Sequence, residues 1–468
     1  MNAVALLVLA SSLAAADPLA ERTNSVERVL RFDLRAVNAS SAPQDLELRL
    51  PLPRTNERQE VLFLYPEPGY EEILEDRLGN RVARYVERAV EPGGVRRRGW
   101  MAAARAYGAV YAPEKRNPAR DPGAKPAPLG PEERELYTRD ASNYRIAAPE
   151  VAAVRDSCAR EGASDEEKAL AAFRWLVRNV RYVRDGRWAP APEVLSKREG
   201  SCSEYNYALV AVLRSLGIPC RSTGAVVLTA DNRSAYDPGV HEDRIFHRWT
   251  EVWLEGKGWI SADASRGSGA ARRFDNFLNY WGRLPAGLVQ TWRGDGNDGG
   301  LIGWEYVAEA RAAGPIRALP ACFWIEAPLE GLEPAMAEVS EAIASGLAPE
   351  RLAAIARDRL RREVLLFLTG RLEAGSYPGV ARALFEARHP AAVEFSIRAA
   401  RAGLDLPAEL RLEALAAPEL SSAIRGALEA GRGGLGPFED FWRKSRAATR
   451  FDPASGRFDL PPGWKPGN

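Results

Sequence analysis

Apolar and polar residues alternate twice near the start of the chain. Leu30, Phe32 and Leu34 stand against Arg31, Asp33 and Arg35, and Leu46, Leu48, Leu50 and Leu52 are separated by Glu47, Arg49 and Pro51. A period of two sends successive side chains to opposite faces, so both stretches predict strands buried on one face. Residues 61–64 predict a third strand. Asp76-Arg77-Leu78-Gly79-Asn80 is turn chemistry, and Val82, Arg84 and Val86 predict the strand after it. Residues 17 to about 95 thus predict a small β-sandwich. Residues 113–131, rich in Pro, Lys and Gly, predict a linker or long loop.

The period then changes. Pro149 is a good first-turn residue for a helix. Ser164 and Glu167 form a candidate capping box, followed by Leu170, Phe173, Leu176 and Val177 at helical spacing. Between Gly200 and Gly217, Tyr205, Leu209, Val212 and Leu216 fall on one helical face. Gly217 stops that helix and Pro219 prevents its continuation. Residues 223–265 turn to strand character. From about residue 330 the chain is rich in Ala, Leu, Arg and Glu, which favours helices. Pro349, Pro378 and Pro407 each open a helical stretch at an even spacing, a hint of a helical repeat. The tail after about residue 450 reads as irregular.

Composition adds exclusions. The 468 residues suggest several domains, and 46% hydrophobic with 27% charged residues excludes a disordered chain. Lys and Arg total 64 against 63 Asp and Glu, a net charge of +1, so no overall basic field draws the chain to nucleic acid. Mean hydropathy is −0.30, which excludes a polytopic membrane protein. Residues 3–16 form an apolar run closed by Ala14-Ala15-Ala16 before Asp17-Pro18. The pattern fits a signal peptide over residues 1–16, although Met1 and Asn2 supply no basic n-region, and it predicts an exported protein, periplasmic or extracellular. Two glycosylation patterns, at Asn38 and Asn232, carry little weight.

Four cysteines cannot form a dense disulfide scaffold. Cys158, Cys220 and Cys322 read as buried hydrophobes, with one disulfide among them left open for an exported chain. Histidine is scarce: His241, His247 and His389. His241 reads as a solvated loop residue and His389 as an exposed cap between helices. Gly431 to Gly436 formally matches a dinucleotide-binding glycine pattern, but a helical segment precedes it and Pro437 follows, so it reads as a loop. No zinc, Cys-x-x-Cys or nucleotide motif occurs, and no cofactor or metal is expected.

One constellation carries chemistry. Cys202 falls at or just before a helix N-terminus, where unpaired N–H groups and the helix dipole favour the thiolate. A thiolate is the attacking species in cysteine acyl transfer. His247, Trp249, Glu251 and Trp253 share one face of a predicted strand. Gly256-Lys257-Gly258 is a turn, and residues 259–263 return as the partner strand. An odd loop pairs Trp253 with Trp259 and sets Asp263 opposite Trp249, on the His247 face and diagonal to it. The roles follow: Cys202 attacks a carbonyl carbon, His247 carries the proton, Asp263 orients the imidazole, and the Cys202 backbone N–H is an oxyanion donor. Tyr182 and Trp188 are both candidates for a second donor. Trp249, Trp253 and Trp259 read mainly as core.

The pattern Gly200-x-Cys202, then His247-x-Trp249-x-Glu251-Val252, then Asp263 after Gly258-Trp259, resembles the transglutaminase-like superfamily of papain-type cysteine enzymes. The resemblance runs over residues 164–265, through Arg174-Trp175-Leu176, Asn179-Val180-Arg181-Tyr182, Pro192-Glu193-Val194-Leu195 and Leu216-Gly217-Ile218-Pro219. It implies Cys202, His247 and Asp263 as the triad. Ser203-Glu204 and Ala264-Ser265 depart from the commoner family residues, the first putting substrate contacts in question and the second leaving Asp263 in place. The expected fold class is α+β: a β-sandwich with linker over residues 17–135, a papain-like catalytic domain over 140–295 and a mainly helical C-terminal domain over 296–468. The expected function is acyl transfer on protein or peptide amides through a Cys202 thioester, with water as acceptor. A transglutaminase with an amine acceptor stays open, as does a non-catalytic scaffold. In that last reading the C-terminal helices bind an unknown protein. Nucleic acid and stable membrane insertion are not expected.

Overall fold

The computed structural model describes residues 20–111, 126–184, 187–229, 232–244, 246–268, 280–294, 301–302, 308–430 and 435–464. The run at residues 3–16, most of the expected linker and residues 431–434 of the glycine-rich loop lie outside them.

The chain opens with strands β1 (Ala20–Asn38), β2 (Gln44–Leu52), β3 (Gln59–Pro66), β4 (Glu72–Glu75), β5 (Arg81–Val90) and β6 (Val95–Tyr111). The middle follows with α1 (Pro131–Thr138), α2 (Pro149–Cys158), α3 (Asp165–Asn179), β7 (Arg181–Tyr182), α4 (Ala191–Lys197), β8 (Glu199–Gly200) and α5 (Cys202–Ser215). Then come β9 (Cys220–Val227), β10 (Val240–Asp243), β11 (Phe246–Leu254), β12 (Gly258–Ala262), β13 (Arg283–Leu284), β14 (Leu288–Gly294), β15 (Glu309–Arg311) and β16 (Ile316–Ile325). Helices from Leu332–Ala344 to Gly436–Ser445 make up most of the rest. The tail after residue 450, read as irregular, pairs as a small hairpin of Arg450–Asp452 with Arg457–Asp459.

Two sheets face each other. One runs β10-β16-β1-β6-β13 with β3 also on β6, and the other runs β15-β2-β5-β4. The strand alternation explains their core. Leu30, Phe32 and Leu34 of β1 and Leu46, Leu48 and Leu50 of β2 meet Tyr85, Trp100 and Trp324 between the sheets. β16 lies far along the chain yet pairs antiparallel with β1 over its whole length, Phe32 opposite Cys322. The sandwich is therefore built from segments on both sides of the middle of the chain.

The polar face of β1 is not solvated, as its alternation had suggested. Arg31, Asp33 and Arg35 are all buried. The C-terminal helices lie across this face and supply counter-charges. Arg31 donates to Glu363 at 2.6 Å and Arg35 to Glu439 and, at 3.3 Å, to Glu394, while Arg97 of β6 donates to Asp33 at 3.0 Å. Buried charges persist only with such partners.

Two histidines differ from expectation for the same reason. His241 lies in β10, which pairs with β16, and is buried instead of sitting in a solvated loop. His389 does cap, its Nδ1 accepting from the Ala391 N–H at 3.2 Å, but it is buried beneath the helices and not exposed. Burial and the Arg362 and Arg31 charges hold its imidazole well below the usual histidine range.

The third layer positions the site. A four-stranded antiparallel sheet, β12-β11-β9-β14, carries α5 against it. A single apolar stripe was expected on α5; instead Cys202 through Arg214 are all buried. Helices α2, α3 and α4 surround the rest, with Val151, Phe173, Leu176 and Val194 packed around Tyr205, Leu209 and Val212. A helix enclosed on all sides cannot be told from a half-buried one by its stripe alone.

Candidate active site

Cys202 is the first residue of α5. Three local features fix it there. Ser201 is the N-cap, and its N–H donates to Glu204 Oε2 at 2.6 Å. Glu204 Oε1 accepts from the Ala189 N–H at 3.0 Å, tying the preceding loop to the helix start. A Cβ on Gly200 would meet the Glu204 Cβ at 2.7 Å, so only glycine fits where β8 turns into the helix. Glu204, whose role the family comparison left in question, is thus buried scaffolding.

The other two residues come from the hairpin. β11 pairs with β12 with Trp253 opposite Trp259 and Thr250 opposite Ala262, the register expected from the odd loop. Gly256 and Gly258 both take positive φ, 69° and 81°, which the turn needs and other residues resist. Continuing that register puts Asp263 beside the His247 face. His247 Nε2 and Asp263 Oδ2 are 2.6 Å apart. Asp263 is itself held: its Oδ1 accepts from the Ser265 hydroxyl at 2.9 Å and the Arg266 N–H at 3.1 Å. Ser265 therefore serves the carboxylate that the altered Ala264-Ser265 ending was expected to leave intact.

α5 is pinned to β11 and β9 by polar contacts from Asn206. Asn206 donates to Thr250 Oγ1 at 2.9 Å and accepts from Ser222 at 2.6 Å. Cys202 thereby lies over the start of β11, its sulfur 3.9 Å from the Phe246 carbonyl oxygen. With Nε2 on Asp263, the imidazole has Nδ1 left for the thiol.

The electrostatics agree with the geometry. Burial pushes the Cys202 thiol up, but the hydrogen bond and charge of His247, with help from Arg248, bring it below its ordinary value. Burial pushes the His247 imidazole down, and the Asp263 carboxylate overcomes this and raises it to about 9. Burial raises Asp263, and His247 and Arg266 more than offset that, leaving it below the usual carboxylate range. The site is suited to a thiolate beside an imidazolium. The other cysteines differ: all are free and buried, and burial leads in raising Cys158, Cys322 and, to about 11, Cys220.

Of the two candidates for a second donor, Tyr182 stands beside the nucleophile. β7 pairs it with Gly200, two residues before Cys202, and its phenol faces the Cys202 backbone N–H. Burial and the Cys202 charge push that phenol up to about 12. Trp188 lies 6.0 Å from the Arg248 guanidinium. Trp249 and Trp253 are buried, as expected of core, with Trp249 stacked on His247 at 6.1 Å. Sequence reasoning missed Arg248, Ser265 and Arg266; only Arg248 and Ser265 stood within the motifs that marked the triad. Among the described residues no cluster of metal-ligating side chains occurs, and no helix is long and apolar enough to cross a membrane.

Residues 152–264 match the model of the Transglutaminase-like superfamily, a span that includes Cys202, His247 and Asp263. The middle of the chain is a transglutaminase-like core, a cysteine-dependent catalytic fold, set between a β-rich region and a helical one. No curated protein matches the chain. Among solved structures it is similar to a candidate cysteine protease from Cytophaga hutchinsonii, at 18% identity and a TM-score of 0.44, covering 66% of this chain and 94% of that one. It is also similar to the periplasmic domain of TgpA from Pseudomonas aeruginosa, at 17% identity and a TM-score of 0.30, covering 57% and 78%. Likenesses this distant assign no activity.

Proposed function

We propose that the protein is a cysteine-dependent acyl-transfer enzyme acting on protein or peptide amides, with water as the acceptor. The observation that carries this reading is the 2.6 Å contact of His247 with Asp263, on an imidazole that also lowers the Cys202 thiol. The Cys202 thiolate adds to the amide carbonyl carbon. The oxyanion that forms is held by the Cys202 backbone N–H and the Tyr182 hydroxyl. His247 then gives its proton to the leaving amine as the C–N bond breaks, leaving a thioester. Water, deprotonated by His247, releases the acid and restores the thiol. Asp263 keeps the imidazole oriented throughout. The apolar run at residues 3–16 supports an exported site of action.

Mass spectrometry of the full chain after brief exposure to a peptide library tests the reading. An acyl mass on Cys202, absent in His247→Ala, is expected. No adduct on Cys202 under any peptide, with equal slow alkylation of all four thiols, would contradict it and favour the scaffold. Added amine identifies the acceptor: with water as acceptor, the released product stays the free acid.

A further inference from the structure

Arg248 follows His247 on β11, and the alternation of a strand turns it to the opposite face. That face meets α5, as Thr250 shows by accepting from Asn206 at 2.9 Å. Arg248 is only 4% exposed. Its guanidinium donates to the hydroxyl of Tyr207, a fully buried residue on the second turn of α5, whose ring centre lies 5.1 Å away. The ring centre of Trp188 lies 6.0 Å from the same guanidinium. Trp188 has a φ of 52°, a conformation that a bulky residue keeps only where its surroundings impose it. The neighbouring peptide shows one such constraint. The Ala189 N–H donates to Glu204, which also accepts the Ser201 N–H at the α5 cap. Arg248 thus contacts both segments that converge on Cys202: the opening turns of α5 and the loop before α4. Its backbone N–H and its charge both favour the Cys202 thiolate. A guanidinium suits this place, since it hydrogen-bonds and lies against aromatic rings while keeping its charge.

We propose that Arg248 is a positioning residue for the nucleophile. By bonding Tyr207 and seating Trp188, it fixes the head of α5 and the loop before α4 against β11, so that the Cys202 sulfur stays in line with the His247 imidazole. This rests on the acyl-transfer reading above and names the side chain that keeps the two proton-exchanging groups together. A shift of a fraction of an ångström at either group would weaken the exchange, because proton transfer needs hydrogen-bond reach.

Iodoacetamide alkylation of Cys202 against pH, read by mass spectrometry on the full chain, tests this without knowledge of the substrate. Arg248→Met keeps an unbranched stem but loses the N–H groups and the charge. Tyr207→Phe removes only the hydroxyl that Arg248 holds, and Arg248→Lys returns the charge. At neutral pH the rate is expected to fall about tenfold in Arg248→Met, with Cys202 titrating at higher pH, and about threefold in Tyr207→Phe. Arg248→Lys should restore the rate in part, since it lacks the planar guanidinium. A merely structural arginine would lower the denaturant midpoint and leave the titration of the folded protein in place. Unmoved titration and rate in folded Arg248→Met and Tyr207→Phe overturn the proposal. Should Arg248→Met not fold, Tyr207→Phe decides alone, and an unmoved rate there overturns it. Failure of the underlying reading shows separately: in the unaltered protein, iodoacetamide would then attack Cys202 no faster than in His247→Ala.

Discussion

Among single side chains, the chemistry turns on one proton shared between Cys202 and His247. The reactive pair forms as pH rises past the lowered Cys202 value and is lost as His247 gives up its proton at about 9. Alkylation of Cys202 by iodoacetamide should therefore titrate below the ordinary thiol value of about 8.5. Peptide turnover should rise over that same range and decline again near 9, since leaving-group protonation needs the imidazolium. Asp263→Asn removes the charge that raises His247. Its alkaline limb should move to lower pH and its turnover drop about a hundredfold or more; an unmoved limb would show that Asp263 does not set the imidazole. Cys202, His247 and Asp263 were legible in the sequence because residue type, spacing and hairpin parity converge on them. The tether from Ser265 to Asp263 was not, since a serine in a loop has many equally good uses.

Among elements, β11 is the strand on which the site depends, and one buried carboxylate anchors it to its surroundings. Glu251 lies 2.7 Å from Arg221, 3.2 Å from Arg58 and 3.9 Å from Arg293. Arg58 comes from the turn between β2 and β3, so this carboxylate joins the sandwich to the core sheet. Burial raises Glu251, and the three arginines reverse this and bring it to about 2. Its stabilisation is complete above the ordinary glutamate value of about 4.3 and is lost as pH falls toward about 2. Glu251→Gln takes the carboxylate from buried Arg221 and Arg58, while Arg293 keeps Glu57, and should cost about 3–5 kcal/mol, read by denaturant unfolding at neutral pH. A cost under about 1 kcal/mol would mean that the arginines find other partners. The strand and its face were plain from alternation; the arginines gathered around Glu251 were not, because they come from β9, β14 and the β2–β3 turn.

In the whole molecule, the helical region and the sandwich share one buried charged seam. Arg31, Asp33 and Arg35 read as a solvated face because alternation reports polarity and not what covers it. Likewise β16 pairs with β1 from nearly 300 residues away, a contact no local pattern carries. Removing the chain beyond β16 would bare these charges and the apolar Val29, Met101 and Ile325 that pack on the helices. Calorimetry of the full chain should show the sandwich and the helices melting together, and two separated transitions would contradict so continuous a seam.

The ion pair at the head of α5 can be read directly from thiolate ultraviolet absorbance against pH. The account predicts one thiol, missing in Cys202→Ser, that ionises below its ordinary value, and a return toward that value in His247→Ala. If all ionisation falls at or above about 8.5, and Cys202→Ser leaves the lower part of the curve unchanged, Cys202 is an ordinary buried thiol and the catalytic reading fails.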